Sequence, residues 1–319
     1  MKQLFYIIIF LPLFCFAQDP VFVQSYSSPI YLNPAFAGYE GCSRIASSFV
    51  NRYPALGSTY ITSVSSYDQY VKQLHGGLAI RYSFDSQADG AFTMNSAYVT
   101  YSPNIKLFDK KLLVSPAIEI GWRRNYVDWD YIFPDMFDPL YGPIFGPPPF
   151  VIPDENTFHT LDINSGILIS HKKFVYGFAV HHLTEPPEPW RQASNAVLSR
   201  KYTMHFSYLW NINEKHKLSP TLHFAQQRDF QVFNSALAYS ISHFRTAIGV
   251  GINPKFHYNI YNFHIGYHKN WFSIRYGYDI TVSKLKNHRT IGRHEISFIA
   301  TFNCKNKKEN RKGPELINF

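Results

Sequence analysis

Between residues 202 and 212 the apolar side chains Tyr202, Met204, Phe206, Tyr208, Trp210 and Ile212 take every second position, with Thr203, His205, Ser207, Leu209 and Asn211 between them. A strand sends alternate side chains to opposite faces, so one face here is greasy and the other mostly wet. The pattern recurs. Leu112, Val114, Pro116, Ile118, Ile120 and Trp122 alternate with Leu113, Ser115, Ala117, Glu119, Gly121 and Arg123, and Phe272, Ile274, Tyr276, Tyr278 and Ile280 alternate with Ser273, Arg275, Gly277, Asp279 and Thr281. Counting such runs between turn signals gives about 14 strands, each near or above the length needed to cross a bilayer at a tilt. Their centres fall near residues 48, 64, 80, 97, 117, 165, 178, 207, 222, 238, 248, 264, 276 and 298. The predicted class is all-β: a transmembrane antiparallel β-barrel over residues 42–304, closed because an open sheet edge strands unpaired backbone groups in hydrocarbon.

Loop lengths supply a second pattern. The turns around His171-Lys172, Asn213-Glu214, Ser242-His243 and Lys269-Asn270 are short, whereas the connections near residues 130–156, 185–199 and 283–291 are long. Outer-membrane barrels alternate in this way, with short periplasmic turns, long outside loops and, for an even strand number, both termini periplasmic. Residues 102–110, after the fourth strand, fit this phase least well.

Composition changes the picture in two ways. A mean hydropathy of −0.20 does not exclude a membrane protein, because a barrel needs an apolar side chain only at every second position. The 28 Phe and 23 Tyr suit aromatic girdles at the two interfaces. The net charge of +9 raises nucleic acid as a partner, but no recognition motif supports it. Residues 1–17, one Lys followed by an apolar run ending Cys15-Phe16-Ala17, read as a secretory signal peptide with the mature chain starting at Gln18. Phe14 before Cys15 is not the small residue that a lipoprotein site needs. Residues 18–41 form a periplasmic or plug segment, and 305–319 a basic periplasmic tail. Of the cysteines left after cleavage, Cys42 precedes the first strand and Cys304 ends the last; a disulfide and two unpaired thiols both fit.

No phosphate-cradling loop and no Gly-x-Ser-x-Gly turn is present. His205 and His223 share the non-lipid face of adjacent strands without a third ligand to complete a metal site. No enzyme activity, cofactor or metal is therefore expected. Arg81, Glu119, Arg123, Arg275, Asp279 and Glu295 fall on the inward face, where they brace strands or a plug. The loop over residues 130–156 is stiffened by proline and carries Phe133, Tyr141, Phe145 and Phe150; residues 185–190 repeat this chemistry with Trp190. These rings are the candidate partner-binding surface, or else a constriction folded over the mouth.

After the signal come Gln18-Asp19-Pro20, Gln24-Ser25-Tyr26 and Tyr31-Leu32-Asn33-Pro34-Ala35-Phe36-Ala37-Gly38, then Asn51-Arg52-Tyr53-Pro54, Ser66-Tyr67-Asp68-Gln69 and Gly76-Gly77-Leu78-Ala79. Together with His294-Glu295-Ile296-Ser297 near the end, these resemble the PorP/SprF family of outer-membrane proteins of type IX secretion and gliding motility. The motif residues are Asn33, Pro34, Ala35, Phe36, Gly38, Tyr67 and Asp68. The resemblance implies a barrel in the cell outer membrane that engages the C-terminal domain of a secreted cargo, such as a large surface adhesin. Other type IX components and outer-membrane lipid are the further partners it implies. A small-solute or hydrophobic-compound channel is the competing reading.

Overall fold

A computed structural model describes residues 19, 22, 26–55, 60–108, 112–129, 137–138, 142–143, 155–189, 196–254, 258–269, 271–282 and 291–304. The wall is a closed antiparallel barrel of 14 strands. They are β1 (Ser43–Arg52), β2 (Tyr60–Val71), β3 (Gly76–Gln87), β4 (Phe92–Pro103), β5 (Leu112–Val127), β6 (Thr157–His171) and β7 (Phe174–His181). The circuit continues with β8 (Lys201–Tyr208), β9 (His216–Gln227), β10 (Phe230–Ile241), β11 (Phe244–Asn253), β12 (Tyr258–Lys269), β13 (Phe272–Val282) and β14 (Arg293–Phe302). Every strand pairs with its sequence neighbours, and β1 pairs with β14 from Ser43↔Phe302 to Arg52↔Arg293, so no edge is left open.

The alternation read from the sequence sets which face is which. Ile274, Tyr276 and Ile280 are exposed on the outside of β13, while Ser273, Arg275 and Asp279 are buried. In β8, Tyr202 and Met204 face out and Lys201, Thr203, His205 and Ser207 face in. Arg81, Glu119, Arg123, Arg275, Asp279 and Glu295 are all buried inside the barrel. Lipid meets an apolar surface, and the wall keeps its charge in the lumen.

The poorly fitting connection after β4 has a local cause. Ile105–Leu107 forms a short strand of its own against Leu112–Val114 at the start of β5, where the pairing of β4 with β5 has already ended at Tyr101↔Ile118. Cys42 and Cys304 form a disulfide at the same rim, with Cα atoms 4.8 Å apart. This resolves the two alternatives left by the sequence in favour of pairing and joins the two ends of the wall.

Candidate functional site

Asp19, Phe22 and residues 26–41 lie inside the barrel. Ser28-Pro29 starts a single helical turn α1 (Pro29–Leu32), with proline in the first turn where its missing N–H costs nothing. The restricted residue before Pro34, Asn33, is extended and begins a 3-10 turn over Pro34–Phe36. Ile30, Asn33, Ala35, Phe36, Ala37 and Tyr39 are fully buried. They pack with Tyr26 and Leu32 against Ala79 of β3, Ala117 of β5, Leu168 of β6 and Val175 of β7. At this level the inward positions of these strands are apolar, whereas Arg81, Glu119, Arg123 and Asp162 on the same strands lie nearer the long-loop rim, and the segment packs against the apolar stretch as a core.

Three anchors hold this strap, from one rim to the other. At the short-turn end Gly38, in a left-handed conformation with φ +63°, donates its N–H to Asp68 Oδ2 at 2.9 Å. Asp68 also receives Arg44 Nε at 2.7 Å, and Arg44 Nη2 donates to the Phe36 carbonyl. The approach is close enough that a Cβ on Gly77 of β3 would lie 2.0 Å from the Ala37 oxygen, so only glycine fits.

At mid-height Asn33 Oδ1 accepts from the Ala35 N–H while Nδ2 donates to the carbonyls of Ile167 and Phe178 on β6 and β7. Gly166 clears the space, since a Cβ there would stand 2.1 Å from Asn33 Oδ1. His205 is gripped through both ring nitrogens, by the Tyr26 hydroxyl and by Asn33 Nδ2, each at 3.2 Å, and Phe36 stacks on its ring.

At the long-loop rim the anchor is ionic. His182, just past β7, has Nε2 2.6 Å from Asp19 Oδ2 and Nδ1 2.6 Å from Asp162 Oδ2. Two carboxylates on two nitrogens call for the doubly protonated ring. Burial alone lowers the His182 pKa, but Asp19 and Asp162 outweigh it and raise the value above the usual histidine range. Burial raises the Asp19 carboxyl, and the facing His182 and Lys201 overcome this and hold it well below the usual carboxylate range. Lys201 reaches Asp19 at 3.6 Å and lies 4.8 Å from the Tyr31 ring, with Arg81 also over that ring. Between these levels Ser27 Oγ donates to Glu295 Oε1. Arg81 and Glu119 pair at 2.7 Å, with Asn164 and Thr100 donating to the same carboxylate.

The sequence that defines the type IX secretion system membrane proteins PorP/SprF matches residues 14–299. The chain belongs to the PorP/SprF family. Its barrel is accordingly an outer-membrane one and part of type IX secretion. Among curated proteins none matches this sequence. Among solved structures, the Ralstonia pickettii toluene transporter TbuX shares 9% identity over 85% of this chain and 91% of its own, with a TM-score of 0.50. A Pseudomonas aeruginosa FadL homologue shares 10% identity over 86% and 94%, TM-score 0.48, and the Acinetobacter baumannii outer membrane protein Omp33 8% over 83% and 100%, TM-score 0.46. At such identities the likeness to TbuX concerns the fold alone.

In this PorP/SprF barrel, Asn33, Pro34, Ala35, Phe36, Gly38 and Asp68 come together as the strap and its seat. Tyr67 does not join them: as the neighbour of Asp68 it points outward, where it stacks on Phe302 beside the β1–β14 seam. Phe133, Tyr141, Phe145, Phe150 and Trp190 lie outside the described residues. Beside them, Phe137–Asp138 pairs with Gly142–Pro143, and Pro187 bridges Val197 while Arg200 reaches Glu185 at 3.5 Å. The rim cluster of Asp162, His182 and Lys201 and the Arg44 partner of Asp68 carry no signature in their local sequence. Only the register, which sets Lys201 opposite His181 and Gln227, gathers the rim.

Proposed function

We propose that the protein is the outer-membrane barrel of type IX secretion that binds the C-terminal domain of a secreted cargo, such as a large surface adhesin, and supports its secretion or anchoring at the cell surface. Family membership over residues 14–299 carries the reading. A lumen half filled by the strap favours it over a channel, because capture at a rim needs no continuous passage. The cargo seat is the long-loop rim, with Phe133, Tyr141, Phe145, Phe150 and Trp190 as aromatic anchors of the kind that dominate protein interfaces. A signal peptide over residues 1–17 delivers the chain, gliding adhesins are the cargo class, and no catalytic step is involved. Affinity purification of the native protein is expected to bring down a large secreted protein, and deleting residues 130–156 is expected to weaken its retention while the barrel still assembles. Unchanged cargo display after that deletion overturns the assignment to this rim. Solute-dependent conductance in bilayers, without cargo, supports the alternative, a small-solute or hydrophobic-compound channel.

A further inference from the structure

Beside the strap, whose Ser28 hydroxyl donates to Ser48 of β1, the inner wall carries donors that no described group uses. Register sets Arg245 of β11, Gly266 of β12, Arg275 of β13 and Ser297 of β14 side by side in one row, which ends on Ser48 of β1. The row is buried, with Arg275 2% and Ser297 1% exposed. Because Gly266 has no side chain, the stem of Arg275 can lean across it: a Cβ at Gly266 would stand 2.8 Å from Arg275 Cγ.

Arg275 Nε donates to Ser273 Oγ at 3.0 Å, but among the described residues neither its Nη1 nor the Ser297 hydroxyl has a hydrogen-bond partner. Among the described groups the charges around Arg275 are Arg245, Glu295 and Arg44. Arg44 is committed to Asp68 and lies also in the field of Glu40. Glu295 acts on Arg293 as well as on Arg275, and it already accepts from Ser27. A buried guanidinium with an unmet N–H is costly unless an acceptor, best an anionic one, is supplied.

We propose that this row is a luminal binding site for a small oxyanion, in which Arg275 Nη1 and the Ser297 hydroxyl donate to the bound oxygens and Arg245 adds charge from across Gly266. Carboxylate and phosphate share the required chemistry: planar or tetrahedral oxygens that accept from a guanidinium fork. Two sources can supply it, free phosphate or the C-terminal carboxylate of a peptide entering the lumen.

The test follows thermal unfolding of the full-length protein in detergent by tryptophan fluorescence, titrated with inorganic phosphate and with a short neutral peptide in free-acid and C-terminally amidated forms. A saturable rise in melting temperature is expected that weakens at least tenfold in apparent affinity in Arg275→Gln and falls partway in Ser297→Ala, while Arg228→Gln, at an exposed turn, responds as the wild type does. A response to the free-acid peptide but not to its amide names a peptide terminus as the source, and a response to phosphate alone names the free anion. No saturable response to any of the three, or an undiminished one in Arg275→Gln, overturns the site. Should Arg275→Gln fail to fold, Ser297→Ala decides alone: an unweakened response there overturns the site.

Discussion

The two halves of this lumen are built on opposite principles. On the side of β3, β5, β6 and β7 the inward residues Ala79, Ala117, Leu168 and Val175 are small or apolar and meet the buried face of the strap. On the side of β11 to β13 Arg245, Asn262, His264, Ser273 and Arg275 line the inside together with Ala247, and His264 Nδ1 and Arg275 Nη1 have no partner among the described residues. One half behaves as a protein interior, where methylene volumes and backbone clearances decide stability. The other is lined largely by buried polar groups, and there charge and hydrogen-bond supply decide it. A barrel of this strand number is wide enough to hold both, so closing the wall does not by itself settle what the inside does.

The contrast can be broken by substitution. Phe36→Ala empties the centre of the packed half and is expected to cost about 3–5 kcal/mol. His264→Ala on the polar half is expected to stay within about 1 kcal/mol, with both read from the temperature at which the folded band converts on a gel. Equal shifts would erase the distinction. Next in size, Ile274→Arg places a charge in lipid at a cost of about 2–4 kcal/mol and lowers the yield in the membrane. Arg275→Leu, one residue away, is expected to insert normally, and matching yields would invert the assigned faces of β13.

Glycines divide the halves more finely. Gly77→Val meets the Ala37 backbone and is expected to cost about 1–3 kcal/mol and to unseat the strap, as seen by protease access to residues 26–41. Gly249→Val meets the Asn262 side chain, the Ala236 Cβ and the Ser235 carbonyl oxygen, all on the wall and none on the strap, and is expected to leave that access unchanged.

The smallest effect concerns pH at the rim. His182 faces Asp19 on the strap, Asp162 on β6 and Arg123 on β5, with His181 beside it and Lys201 on β8. Its pKa is raised, so its contribution is complete below the ordinary histidine range and fades as pH rises through the raised value. Asp19, held low, contributes above the ordinary carboxylate range and fades only as pH falls through its lowered value. The stability difference between wild type and His182→Gln is therefore expected to shrink as pH rises from about 6 to about 9, by on the order of 1 kcal/mol or less. A difference that grows with pH would contradict the doubly bonded imidazolium.

The wall was legible because lipid imposes one rule on every strand. All the predicted centres, from residue 48 to residue 298, fall within observed strands. Where the rule stops, so does the reading: in the sequence the alternation runs through residue 212, yet β8 ends at Tyr208. Leu209 turns in to pack with Ala238 and Ala247, and Trp210–Asn211 pairs separately with β9. For residues 18–41 the sequence leaves a periplasmic segment and a plug as alternatives, because the strap's residues show no period, its helical pieces being single turns. A trace of it existed on the wall, where Ile167-Leu168-Ile169 and Phe174-Val175-Tyr176 are apolar on both faces and so announce a filled interior. The ionic rim had no such trace, since it assembles residues 19, 162, 182 and 201 through register alone.

The Cys42–Cys304 bond makes the wall a hoop instead of a rolled ribbon. A ribbon held by hydrogen bonds peels from its first and last strands. The hoop has no loose end at this rim from which peeling can begin. The bond also sits one residue before β1, at the foot of the strap. A tug on the strap from the opposite rim is therefore passed to the first and last strands together and shared around the circumference.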